Sequence, residues 1–134
     1  MSCPACDGDR VAFAVPPSLR PYAPDESAAA TLCTTCLRVD AFQGDTEHAT
    51  LPEAVEWDPL PTGDAGVATA LLLGLVDSLA LRRTAVTALL EHAEEAGGDP
   101  FLTLDRLVGM ADAGDINPHV DLARRTAQLQ SLFD

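Results

Sequence analysis

Four cysteines carry the chemistry of this sequence. Cys3 and Cys6 form one pair and, after 26 intervening residues, Cys33 and Cys36 form a second. Two residues between thiols is the spacing at which a tight turn aims both sulfurs at one ion, and two such turns complete a tetrahedral four-sulfur site. No other cysteine occurs in the 134 residues, so every thiol is accounted for. Four thiolates leave a Zn2+ ion no open position for water or substrate, so the role predicted for the ion is structural.

Three rival uses of the same residues can be weighed. Disulfides are disfavoured because the N-terminus, MSCPACDGDR, has no basic region followed by an apolar block; no secretory signal is read, and a cytoplasmic location is expected. A redox C-x-x-C needs a strand before it and a helix whose N-terminus lowers the thiol pKa, and Cys3 has only two residues ahead of it. Iron stays open as the lesser alternative, because four thiolates on paired turns serve either metal. Rubredoxin turns run C-P-x-C-G; here Cys3-Pro4-Ala5-Cys6 is followed by Asp7, and Cys33-Thr34-Thr35-Cys36 by Leu37.

Other chemistry is sparse. No G-x-S-x-G, phosphate-binding glycine loop or lysine is present, so no catalytic set is identified and a non-enzymatic protein is expected. His48 has no evident partner, and His92 reads as a surface residue beside Glu91 and Glu95. Asp112, Asp115, His119 and Asp121 suggest at most a loosely held cation. Arg82-Arg83 and Arg124-Arg125 are expected to pair with neighbouring acids.

The elements that must position the cysteines follow from hydrophobic pattern. Val11, Phe13 and Val15 alternate as one face of a strand that Pro16-Pro17 stops, and Ser18 to Glu26 reads as a loop or single turn. Ala28–Leu32 and Leu37–Phe42 flank the second cysteine pair as two more short strands. Residues 43–63 have the composition of an acidic linker, with Pro52, Pro59, Pro61 and the only tryptophan, Trp57, which is expected to fold back onto the rest. From Asp64, read as a cap, a helix runs through Val67, Leu71, Leu72, Leu75 and Val76. A second shows Val86, Leu89, Leu90 and Ala93 on one stripe. Asp99-Pro100 is a cap followed by proline at the first helical position, opening a third helix with Phe101, Leu104, Leu107, Val108 and Ala111 inward. Asn117-Pro118 repeats that pattern before a helix with Leu122, Thr126, Leu129 and Phe133. The expected fold is α+β: a zinc ribbon of short antiparallel strands over residues 1–42, a linker over 43–63, and a bundle of three or four helices over 64–134.

Charge is the remaining clue. Twenty-one acids against eight arginines give a formal charge of −13, with hydrophobic residues at 47% and aromatics at only 4%, so the core must be built from Leu, Val and Ala. On like-charge repulsion alone, such acidity excludes nucleic acid. Yet with no lysine and scattered carboxylates, the composition fits a cytoplasm rich in salt. At about 1 M ionic strength the Debye length is roughly 3 Å, and net charge then says little about partners. Residues 1–42 carry a net of −2 and the rest −11, so Arg10, Arg20 and Arg38 of the first segment are the candidate nucleic-acid contacts. The most apolar run, Ala65 to Val76, is shorter than the roughly 20 residues a membrane helix needs, and no membrane association is expected.

With its paired cysteine turns the first segment resembles the zinc ribbons of archaeal transcription and translation proteins. Over nearly its full length, the chain resembles a haloarchaeal family of small two-CxxC proteins of unknown function. The motifs are Cys3-Pro4-x-Cys6, Ala12-Phe13-Ala14-Val15-Pro16, Cys33-x-x-Cys36-Leu37-Arg38, Asp77-Ser78-Leu79-Ala80-Leu81-Arg82-Arg83 and Leu102-Thr103-Leu104-Asp105-Arg106-Leu107. The resemblance implies a zinc-ribbon protein and transfers no catalytic residue. An adaptor that binds a protein partner is the leading expectation, with nucleic acid or the ribosome as the alternative and a rubredoxin-like or thiol redox protein as a distant third.

Overall fold

The computed structural model describes residues 2–42, 52 and 55–132. Three strands, β1 (Arg10–Ala14), β2 (Ala29–Cys33) and β3 (Val39–Ala41), form one antiparallel sheet in the order β1-β2-β3. Phe13 pairs with Ala30, and Arg10 with Cys33, so the strand register carries β2 directly into the second cysteine turn. Phe13 and Val15 are buried as the alternation requires, while Val11 is half-buried. The stretch expected as a loop holds two short 3-10 turns, Arg20–Tyr22 and Pro24–Glu26. The fold is α+β, with four α-helices among the described residues following the sheet.

The first helix, α1 (Gly63–Leu73), is preceded by Thr62 at the cap position, so Asp64 lies inside the first turn instead of capping it. There its carboxylate faces the positive end of the helix dipole. Every residue from Ala65 to Leu73 is buried, so α1 is covered all round and shows no polar face. It stops earlier than its apolar run suggests. Gly74 follows, where a Cβ would sit 3.0 Å from the Val39 Cβ of β3, and a 3-10 turn at Val76–Ser78 takes up the rest. Helix α2 (Arg83–Glu95) buries Val86, Leu89, Leu90 and Ala93 as expected. Helix α3 (Pro100–Asp112) starts where Asp99 accepts a hydrogen bond from the Leu102 N–H at 3.1 Å. Leu104 and Leu107 are buried, whereas Phe101, Val108 and Ala111 are half-buried.

Helix α4 (Leu122–Leu132) corrects the sequence expectation: it begins at Leu122, not at Pro118. Asp121 does the capping, its carboxylate accepting from the Arg124 N–H at 3.2 Å. Leu122, Thr126 and Leu129 face inward as expected; Phe133 lies outside the described residues.

The sheet and the helices share one core. Phe13, Val15, Leu19, Ala30, Leu32 and Leu37 belong to the same buried cluster as Val67, Leu71, Leu89, Leu104 and Leu129. Val55 and Leu60 join it and Trp57 packs against it, so this part of the segment read as a linker is packed, not a free tether. Trp57 folds back as anticipated. The first 42 residues therefore draw apolar cover from the helices.

Candidate metal centre

Each cysteine pair sits in the same backbone frame. In the first turn the Asp7 N–H donates to the Cys3 carbonyl at 2.8 Å, and the Cys3 N–H to the Gly8 carbonyl at 2.7 Å. In the second, the Leu37 N–H donates to the Cys33 carbonyl at 3.0 Å and the Cys33 N–H to the Arg38 carbonyl at 2.9 Å. The offsets are identical. At the equivalent positions Asp7 (φ 62°) and Leu37 (φ 66°) both adopt the left-handed conformation. Glycine is the usual occupant of such a position, so its absence from the sequence does not signal a different turn. Aspartate tolerates this conformation better than most residues, and Leu37 is held in it by burial at 2% exposure. Replacing Asp7 by valine is expected to cost about 1–2 kcal/mol, whereas Asp7→Gly should be neutral or mildly stabilising. Denaturant unfolding of the two variants checks the pair.

These frames bring all four sulfurs together. The Sγ atoms lie within 4.8 Å of one another, with Cys3 and Cys36 at 3.8 Å and Cys6 and Cys33 at 3.5 Å. A tetrahedral ion with metal–sulfur bonds near 2.3 Å has sulfurs about 3.8 Å apart, so the set fits such an ion. None of the four is in a disulfide; Cys3, Cys33 and Cys36 are buried and Cys6 is exposed. Among the described residues, no other group of histidine, cysteine and carboxylate side chains converges in this way.

The surroundings favour thiolates at one corner and resist them at another. The Ala5 N–H bonds the Cys3 sulfur and outweighs burial, and with the Cys6 N–H it lowers that thiol to about 7. Burial pushes the Cys33 thiol up to about 12, against N–H groups of Cys36 and Thr35 that favour its anion. A divalent cation bound by the four sulfurs would resolve the conflict, since its charge would deprotonate coordinating thiols. The Arg38 guanidinium, raised further above its ordinary range by a hydrogen bond to Cys36, adds positive charge beside the sulfurs.

Close approach of the two turns depends on Gly8. A Cβ there would lie 2.6 Å from the Thr35 Oγ1 and 2.7 Å from its Cβ, and 3.2 Å from the Cys6 Sγ. Gly8→Ala is expected to force the turns apart at about 1–3 kcal/mol. The check is a chelator competition, in which the variant should release metal roughly 5- to 100-fold more readily.

The remaining sequence candidates fall elsewhere. Arg10 is half-buried at the start of β1, paired in register with Cys33, and its Nε has no hydrogen-bond partner among the described residues. Arg20 is exposed, with its Nε donating to the Val15 carbonyl at 3.2 Å. The structure thus places Arg10 and Arg38 near the cysteines, each joined to the cage or its flanking strand, and Arg20 apart from them at the end of β1. His92 is half-buried with its ring 6.1 Å from that of Tyr22, not a plain surface residue. Arg125 bonds the Gln128 side chain at 3.2 Å. His48 lies outside the described residues.

His119 is the residue whose role sequence missed. It does not gather Asp112, Asp115 and Asp121, all exposed, into a second site. Its Nδ1 is 2.7 Å from the Cys36 carbonyl oxygen, and its N–H donates to that same oxygen at 2.9 Å. No local spacing signals a contact across 83 residues.

Among the described residues no helix is long and apolar enough to cross a membrane. Residues 2–133 match the model of a protein family described as a family of unknown function, DUF6276. No curated protein and no solved structure matches the chain.

Proposed function

The chain belongs to the DUF6276 family, and from its cysteine cage we propose a non-enzymatic zinc-ribbon protein whose metal is structural and which serves as an adaptor for another macromolecule. The observation that carries this reading is the closed set of four sulfurs within 4.8 Å of one another, drawn from two matching turns. Zinc is the metal chosen, because four-thiolate tetrahedra on paired C-x2-C turns are a common structural zinc form. Four protein ligands leave no coordination position for a substrate.

A protein partner is favoured over nucleic acid. Leu81 (89% exposed) and Leu102 (57% exposed) present bare apolar side chains, Leu81 beside exposed Arg82 and Arg83. Arg20 is engaged by the Val15 carbonyl beyond the end of β1, while Arg10 starts that strand, so the arginines nominated for nucleic acid do not form one patch. The acidic surface suits a salt-rich cytoplasm.

Elemental analysis and colour test the metal: one zinc per chain and a colourless protein are expected, and a red iron protein would overturn the assignment. Pull-down from a high-salt lysate, with and without nuclease, tests the partner. A protein retained after nuclease treatment supports the adaptor; a partner lost on nuclease treatment shifts the function to nucleic acid or the ribosome.

A further inference from the structure

The loop between α3 and α4 is seated on the second cysteine turn. The Asn117 N–H donates to the Thr35 carbonyl at 2.8 Å and the His119 N–H to the Cys36 carbonyl at 2.9 Å, with His119 Nδ1 2.7 Å from the same oxygen. A carbonyl oxygen only accepts, so Nδ1 carries a proton and donates it. Residue 119 alone thus supplies two donors to the Cys36 carbonyl. On the other side of the same residue, the Cys36 N–H donates to the Cys33 Sγ at 3.4 Å and its own Sγ faces that of Cys3. Thr35 and Cys36 therefore belong to the cage and to the seat of the loop at once. Ile116, buried at 5% exposure, pins the loop between these bonds and the core. Of the helices it joins, α3 packs on α4 and touches α2, α4 touches the turn at Val76–Ser78, and Leu104, Leu107, Leu122 and Leu129 reach the common core.

We infer that this contact is a metal-linked clamp, through which an ion in the cage fixes the docking of the α3–α4 hairpin. The inference rests on the metal-centre reading above. An ion held by Cys33 and Cys36 freezes the intervening backbone, and with it the two carbonyls that receive Asn117 and His119. When the cage is empty that backbone gains freedom and the hairpin loses its seat. Linkage makes the effect reciprocal: loosening the clamp must weaken the hold on the metal by the same factor.

Hydrogen exchange on the whole protein, zinc-loaded and chelated, tests this. Removal of zinc is expected to cut protection at Asn117 and His119 and across α3 and α4 at least tenfold further than across α1 and α2. In a zinc–chelator competition, His119→Ala should lose about fivefold in affinity, the worth of one hydrogen bond. His119→Asn, whose side-chain N–H can reach the same carbonyl, should recover most of it. If the wild-type chain takes up no zinc, the metal reading falls and the clamp with it. If zinc binds but α3–α4 exchange is the same in both states, the clamp alone is overturned. Protection lost equally from α1 and α2 would also overturn it, because the ion would then be holding the whole chain and not this hairpin.

Discussion

Chelating the metal from the folded protein is expected to cost on the order of 5 kcal/mol or more and to release β1–β3 from their native pairing. Zinc contributes roughly 10–16 kcal/mol to small zinc-folded peptides. Here the helices lend the sheet part of its apolar cover, through Phe13, Leu32 and Leu37 in the common core, so a smaller fraction of that energy decides whether the strands persist. Without an ion, the two turns hold four sulfurs that have nothing to bind, and Asp7 and Leu37 remain in a costly backbone conformation. Cys33→Ala is the genetic equivalent. Its thiol is fully buried, and its loss should abolish stoichiometric zinc, whereas Cys6→Ser, at the exposed corner, should be the milder change. Thermal melts with and without a strong chelator, followed by elemental analysis, check both. An identical melting curve in the two conditions would contradict the expectation.

Leu71→Ala should cost about 2–5 kcal/mol, the usual range for a buried leucine truncated in a core that closes only partly. Leu71 is 1% exposed on a helix with no polar face, near Val39 of β3. The cost alone would be unremarkable; the distribution of its effects is informative. Since sheet and helices share one cluster, the variant should unfold in a single transition with a lower midpoint and an unchanged denaturant slope. It should also release metal more readily than the parent. Two separate transitions, with the metal centre unaffected, would mean that the sheet and the helices are energetically independent.

The cysteine cluster was legible because both its requirements are local: two residues between thiols, and two such turns. The strand at Phe13 and Val15 and the helix after Asp99-Pro100 were legible for the same reason, their signals lying within a few residues of one another. Asn117-Pro118 carries the same signal as Asp99-Pro100 and yet opens no helix. Its N–H is taken by the Thr35 carbonyl, a partner 82 positions earlier, and the cap passes to Asp121. A one-dimensional pattern cannot see that competition. The residues after Cys6 and Cys36 are not glycine, yet Asp7 and Leu37 adopt the backbone a glycine would take, which their types do not announce. The proline-rich stretch before α1 read as a tether on composition, but Val55 and Leu60 have their cover from residues far along the chain. Composition reports the polarity of a segment and says nothing of what lies across from it.

Helix α1 imposes an order on synthesis. Its apolar wall is covered by β3, made before it, and by α2, made after it, and Gly66 is needed because a side chain there would run into the Pro61 carbonyl. As the polypeptide leaves the ribosome, all four thiols are out well before residues 63–73, and those residues are out before anything exists to cover their far side. A nascent chain therefore has its complete set of thiols early. It must still carry Leu71, Leu72 and Leu73 unprotected until the second helix has been translated.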